Sequence, residues 1–161
     1  MTEPLILKTA EAGVVRLTLN RPESYNALSV PMLAALRAEF AALKDDRTAR
    51  VVILRGAGKA FCAGHDLKEM QAARAAGDKG RSFFTSLFAQ CAEVMQMIPA
   101  LPQPVIAEVQ GIATAAGCQL VASCDMAVAA EGTRFGVNGV NIGLFCSTPM
   151  VALSRNVPRK R

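Results

Sequence analysis

Apolar and polar residues largely alternate over Val14-Val15-Arg16-Leu17-Thr18-Leu19, and a period of two predicts a half-buried strand. Leu5–Lys8 reads as its partner, with Ala12-Gly13 between them. Beyond the loop Asn20-Arg21-Pro22-Glu23-Ser24 the period changes. Leu33, Leu36, Phe40 and Leu43 recur at spacings of three and four, which predicts a helix ending near Lys44. Ser29 is placed to cap it, with Pro31 in its first turn. Val51–Leu54 is an unbroken apolar run and reads as a buried strand ended by Gly56-Ala57-Gly58. Asp66–Ala76 reads as a short helix with a carboxylate at its positive end, broken by Gly77-Asp78-Lys79-Gly80. Ser82–Ile98 is a longer helix whose stripe of Phe84, Leu87, Phe88, Cys91, Met95 and Ile98 is expected to be core. Val105–Val109 is a strand, Gly111–Ala115 a turn of small residues, Ala116–Ser123 a helix and Met126–Ala130 a strand. After Gly143 and Pro149 comes an apolar turn, Met150–Leu153. Strands separated by helices of this size predict an α/β fold with crossover connections.

Composition narrows the class. The 161 residues are 52% hydrophobic and 19% charged, the opposite of a disordered chain. One domain of this length buries about 68–70% of its unfolded surface. The longest apolar runs fall far short of the ~20 residues that span a bilayer. Met1–Pro4 shows no basic stretch followed by an apolar one, so the default expectation is a cytoplasmic protein. Five cysteines, at 62, 91, 118, 124 and 146, form no Cys-x-x-Cys pair. They predict neither a disulfide framework nor a zinc knuckle, but buried thiols. The net charge is +5, and no acid follows Glu131 while Arg134, Arg155, Arg159, Lys160 and Arg161 do. That reads either as a patch for a phosphorylated ligand or nucleic acid or, as the spacing favours, as a solvated basic tail. With no Trp and one Tyr, no aromatic residues interleave it, so nucleic-acid binding is not expected.

Two segments share one design: a strand, small residues, then a helix start. They are Val51–Leu54 leading into Phe61-Cys62-Ala63-Gly64-His65-Asp66-Leu67, and Val105–Val109 leading into 111–119. Free N–H groups at two helix starts aimed at one point would hold an anion or oxyanion. Small residues that merely permit tight packing are the alternative. Gly56-Ala57-Gly58 lacks the third glycine and the later acid of a dinucleotide loop, and Gly58-Lys59-Ala60 lacks the hydroxyl of a P-loop. No Ser stands in a nucleophile elbow to serve His65, the only histidine, and His65 has no visible metal-ligand cluster.

Asn20-Arg21-Pro22, Asn26-Ala27-Leu28, Phe61-Cys62-Ala63-Gly64-His65-Asp66-Leu67 and Ala116-Gly117-Cys118-Gln119-Leu120 with Cys124-Asp125 resemble, in order and spacing, the enoyl-CoA hydratase/isomerase (crotonase) superfamily. The resemblance covers nearly the whole chain. It implies a crotonase-like spiral of ββα turns and an acyl-CoA thioester ligand, with no cofactor beyond the coenzyme A of the substrate and no metal. It also implies that the thioester oxygen sits between the backbone N–H groups of His65 and Ala116. Ser24, Tyr25, Ala63, His65, Asp66, Leu67, Lys68 and Ala116 are the implied substrate-binding residues.

Hydratases of this family use two glutamates, which fall here on Gln119 and Gly139. Some related isomerases and dehalogenases carry an aspartate where Ser147 stands. None of the three positions has a carboxylate, and an amide cannot accept a proton at neutral pH. The expected function is acyl-CoA binding of hydratase/isomerase type with impaired hydration. A non-catalytic acyl-CoA binder and another CoA-thioester enzyme such as a hydrolase are the alternatives. Family members run on into helices that close the pocket and build the oligomer. Residues 1–161 are therefore expected to be an N-terminal crotonase domain lacking its C-terminal trimerisation helices, with the full-length protein a homotrimer or hexamer.

Overall fold

The structure is a computed structural model and describes residues 3–143 and 145–158. The basic tail at 159–161 lies outside the described residues. Strands β1 (Ile6–Glu11) and β2 (Val14–Leu19) form an antiparallel hairpin in which Glu11 pairs with Val14. The first strand extends past the expected residue 8 because Ala12 and Gly13, at φ 50° and 81°, turn the chain tightly. Helix α1 (Val30–Lys44) follows, with the Ser29 hydroxyl accepting from the Met32 N–H at 3.2 Å, as the cap predicts. Strand β3 (Val51–Gly56) leads to α2 (Leu67–Ala73) and α3 (Arg81–Met97). Strands β4 (Val105–Val109) and β5 (Ile112–Thr114) lead to α4 (Ala116–Ser123). Strands β6 (Met126–Ala129) and β7 (Arg134–Gly136) then reach α5 (Ser147–Asn156) through a 3-10 turn at Asn138–Ile142.

The first strand of each ββα turn joins one sheet in the order β1-β2-β3-β4-β6, with β2 through β6 parallel. The second strands form a separate wall. β5 pairs in parallel with β7, and single parallel bridges join Leu28 to His65 and Cys62 to Ala113. This is the expected α/β spiral. One correction concerns 111–115: Ile112–Thr114 is a strand. Three residues are too few to show a period, and the pairing with β7 makes it.

The core lies between the large sheet and α1 and α3. Leu17, Leu54 and Ala107 share a register across three strands, and Leu36, Phe40, Leu87, Val94 and Ile98 cover them. A second correction concerns α3. Leu87, Cys91, Met95 and Ile98 are buried, but Phe88 is 42% exposed and Phe84 only partly covered. Phe88 packs instead on the His65 ring and on Phe84, so this part of the stripe meets aromatic side chains rather than the core. No helix among the described residues is long and apolar enough to cross a membrane.

Candidate functional site

Two turns meet backbone to backbone. Gly64, at φ 93°, ends the first, and a Cβ placed on it would stand 3.4 Å from the Ala116 nitrogen and 3.1 Å from the Ala115 Cβ. A Cβ on Gly117 would overlap the Cys62 carbonyl oxygen. Only glycine permits this approach. The Thr114 N–H donates to the Cys62 carbonyl at 3.1 Å, and the Ala115 N–H to the Gly136 carbonyl at 2.8 Å. Ala116 is the first residue of α4, so its N–H has no acceptor within the helix. Among the described residues neither the His65 nor the Ala116 N–H has a hydrogen-bond acceptor outside the regular elements.

Ala115 holds φ 51° and ψ −123°, a conformation an L-residue adopts only under constraint, at a cost of about 1–3 kcal/mol. The strain sets the plane of the 115–116 peptide and so the direction of the Ala116 N–H. The Gly136 carbonyl bond and the packing of Gly64 hold it there. The Thr114 hydroxyl donates to the Gly136 carbonyl at 3.1 Å and meets the Asn138 side-chain oxygen at 2.6 Å. These contacts bring the 136–139 segment, with buried Gly139, to the same end of α4.

His65 follows Gly64 directly. Its Nδ1 lies 3.4 Å from the Leu28 carbonyl oxygen, and its ring meets Phe88 edge to face with centroids 5.6 Å apart. Burial pushes the imidazole below the ordinary histidine range and outweighs the Leu28 contact, which raises it. Gln119, one turn into α4, is 7% exposed, and its Oε1 is buried without a hydrogen-bond partner among the described residues. It borders a cavity of about 750 Å³ between α3, α4 and α5, beside Met95, Ser123 and Val151. Ser147 is exposed at the start of α5.

The expected binding residues of the two loops are joined. The Ala63 N–H donates to the Tyr25 carbonyl at 3.0 Å. Arg21 donates to Asp66 at 3.2 Å and to the Ser24 hydroxyl at 3.3 Å. Tyr25 is 45% exposed, with the Lys59 ammonium 5.2 Å from its ring centroid. Leu67 and Lys68 point outward at the rim. Asp66 differs from the rest. One carboxylate oxygen caps α2 by accepting from the Lys68 and Glu69 N–H groups at 3.0 and 3.4 Å, and the other takes Arg21. Its side chain is committed to holding the loop.

Sequence reading missed two polar anchors. Asn26 is fully buried at φ 54°; it accepts from the Arg21 N–H at 2.9 Å and donates to the Ala57 and Ala60 carbonyls at 2.9 and 2.8 Å. Glu69 accepts from the Val30 N–H at 2.9 Å and so caps α1 from α2. The signal was present for Asn26, a turn-former directly before an apolar run, but the two carbonyls it holds lie more than 30 residues away. Burial pushes the Cys62 and Cys124 thiols up to about 12 and Cys91 up to about 11, which disfavours the thiolate at those three positions. Asp125 accepts from the Val105 N–H at 2.7 Å and serves the sheet. Among the described residues no group of three or more His, Cys, Asp or Glu side chains is placed to hold a metal ion.

Against known proteins, the family model described as enoyl-CoA hydratase/isomerase matches residues 9–161. Enoyl-CoA hydratase domain-containing protein 3, mitochondrial, of Xenopus laevis is 50% identical over 157 residues, covering 98% of this chain and 52% of that protein. The crystal structure of an enoyl-CoA hydratase from Mycobacterium smegmatis superposes with TM-score 0.91 at 61% identity, over 98% of this chain and 60% of that one. Human enoyl Coenzyme A hydratase domain-containing protein 3 gives TM-score 0.88 at 43% identity, over 98% and 60%. The chain spans about half the length of the curated relatives it matches. The cytoplasmic expectation is corrected by them, since relatives 46–50% identical are named as mitochondrial proteins. Import is read from a leader outside the fold, so the composition of the folded part carries no trace of compartment.

Proposed function

The chain belongs to the enoyl-CoA hydratase/isomerase family, and from that premise we propose that it binds an acyl-CoA thioester whose carbonyl oxygen lies between the His65 and Ala116 N–H groups. The observation that supports this reading is the close approach of Gly64 to Ala115 and Ala116, beside a strained peptide, with neither the His65 nor the Ala116 N–H given an acceptor outside the regular elements among the described residues. Such donors act on the negative charge that grows on the oxygen as an enolate forms. Ser24, Tyr25, Ala63 and the exposed Leu67 and Lys68 form the rim that takes the pantetheine and nucleotide ends, with Asp66 and Arg21 holding the rim in shape. No protein-bound cofactor enters this reading.

Hydration needs a base for the water proton and an acid for the α-carbon. Gln119 and Gly139 supply neither, and each such group contributes about 10²–10⁴ in rate. The Gln119 amide, with a buried and unpartnered oxygen, orients a donor by hydrogen bonding alone. We therefore expect tight acyl-CoA binding with slow hydration. Calorimetric titration with butanoyl-CoA and a crotonyl-CoA hydration assay test the two halves separately. Rapid hydration by the unaltered protein overturns the second half; absence of binding overturns the first. The missing carboxylates also favour a second reading, a non-catalytic acyl-CoA binder, which no turnover of any enoyl thioester supports.

Assembly belongs to the same proposal. Met126, Val128, Phe135, Val140 and Phe145 are each exposed in the last turn of the spiral, and exposed apolar side chains of this kind support an interface there. A homotrimer or hexamer is the state expected by light scattering of the protein at the full length its gene encodes.

A further inference from the structure

The cavity of about 750 Å³ between α3, α4 and α5 has two ends of different chemistry. Gln119 stands three residues after Ala116 and four before Ser123, so the three share one face of α4. That face leads from the proposed oxyanion turn into the cavity, and Ala116 to Ser123 spans about 10 Å at the rise of an α-helix. Gln119 marks the near end. It is 7% exposed with Oε1 unpartnered among the described residues, a polar group that the protein itself leaves unsatisfied. Ala92 and Met95 from α3 and Val151 and Ala152 from α5 add apolar wall.

The far end is polar. The Asn156 amide donates to the Ala122 carbonyl at 2.9 Å, which sets the last turn of α5, and Arg155 with it, against the C-terminal end of α4. Most hydrogen-bonding groups there are already engaged. Asn156 gives its second N–H to the Ala152 carbonyl at 2.9 Å, and the Ser123 hydroxyl donates to the Gln119 carbonyl at 2.9 Å. Asp125 lines the same end, with one carboxylate oxygen accepting from the Val105 N–H at 2.7 Å. Arg155 lines the cavity but forms no ion pair and no side-chain hydrogen bond among the described residues. The anionic group at this end is thus held by the backbone, whereas the cation is held by nothing. A guanidinium is a planar fork of donors that matches a carboxylate through two parallel bonds.

We propose that this cavity receives the acyl chain and that Arg155 reads its far end, so that the preferred ligand is the mono-CoA thioester of a dicarboxylic acid. The inference rests on the thioester reading above. The carbonyl sits at the start of α4, the methylenes run along the α4 face past Gln119 between the apolar walls, and the terminal carboxylate meets the guanidinium. A fatty acyl chain of the same length would bring a methyl group to the polar end and leave Arg155 without a partner. Arg155 is a specificity residue in this scheme: it acts on which acyl chain is held, whatever chemistry follows at the thioester.

The test uses the full-length protein with suberoyl-CoA, ω-hydroxyoctanoyl-CoA and octanoyl-CoA, which share one chain length and differ only at the far end. Calorimetric titration is expected to give suberoyl-CoA a Kd about 5- to 10-fold below the other two, the range for a bidentate pair still open to solvent. The advantage shrinks as salt is raised. In Arg155→Met the ratio of the octanoyl-CoA Kd to the suberoyl-CoA Kd falls to unity. In Arg155→Lys it stays between the two values, because an ammonium keeps the charge and loses the fork. Each ratio is taken on one preparation, so partial unfolding of a variant cancels from it. Equal binding of suberoyl-CoA and either comparison ligand by the native protein, or a ratio undiminished in Arg155→Met, overturns this proposal alone. Failure to bind any of the three overturns the thioester reading and this proposal with it.

Discussion

In β2, β3 and β4 alternate side chains are hidden, and Leu17, Leu19, Val52, Leu54, Val105 and Ala107 have no accessible surface. In the fourth turn all of β6 is exposed, with Met126 and Val128 at 60% and 62%. Yet the two regions are paired equally well. β6 keeps parallel register with β4 from Ile106↔Met126 to Val109↔Ala129, and β7 with β5. Backbone pairing and burial are thus separable here. The ladder is complete wherever a neighbouring strand exists, but only the region beneath α1 and α3 has a second layer to press on. The donor turns lie on the well-packed side of this divide, and the 136–139 segment that braces them lies on the other.

The sharpest way to break the contrast is to remove matched apolar bulk from each side. Phe40→Ala should cost about 3–5 kcal/mol in denaturant unfolding, because a fully enclosed ring leaves a cavity. Val128→Ala should change stability by no more than about 0.5 kcal/mol, because its methyls already face solvent. Equal losses would show that the last turn is as well packed as the first three. Next in size is Asn26→Ala, expected to cost about 3 kcal/mol by leaving the Ala57 and Ala60 carbonyls and the Arg21 N–H buried without partners. The same variant should weaken acyl-CoA binding, since the 21–26 turn carries Ser24 and Tyr25.

Smaller is Ala115→Gly. Glycine adopts φ 51° without penalty, so a stabilisation of about 1 kcal/mol, or a Tm rise of roughly 2–4 °C, is expected. If the strain orients the Ala116 N–H, enoyl-thioester turnover falls while stability rises; a gain in both would remove strain from the mechanism. Smallest is a pH effect at His65. Its folded pKa lies below the unfolded value of 6.5, so between the two the folded chain binds fewer protons than the unfolded. The stability it contributes is present above pH 6.5 and is lost as the pH falls toward the folded value. The His65→Gln variant should show a flatter decline in that window by thermal melts.

Much of the well-packed side was legible in the residues. The stripe from Leu33 to Leu43 and the runs at 14–19, 51–54 and 105–109 carry a period or a length that only one element satisfies. Motif order likewise pointed to Gly64, His65 and Ala116 before any geometry was known. What escaped has a common physical cause. Ile112–Thr114 and Arg134–Gly136 become strands only because they face each other. Phe88 has the helical phase of a core residue but packs on His65 and Phe84 and stays 42% exposed. Asn26 and Glu69 act on partners distant in sequence, and Asp66 carries the family's pattern while spending its carboxylate on a cap and an arginine. Periodicity reports which face of an element is apolar; it does not report what waits on the other side.

The abutment of main chain on main chain at Gly64 and Gly117 also bears on how this protein can change. No side chain can be inserted between the turns as a spacer, since even a methyl group on Gly117 would run into the Cys62 carbonyl. The spacing of these two backbones is therefore fixed by peptide geometry and is out of reach of ordinary substitution. Under the thioester reading proposed above, substitutions that alter ligand preference fall on the surrounding side chains, such as Phe88 and Gln119, and leave this backbone spacing unchanged.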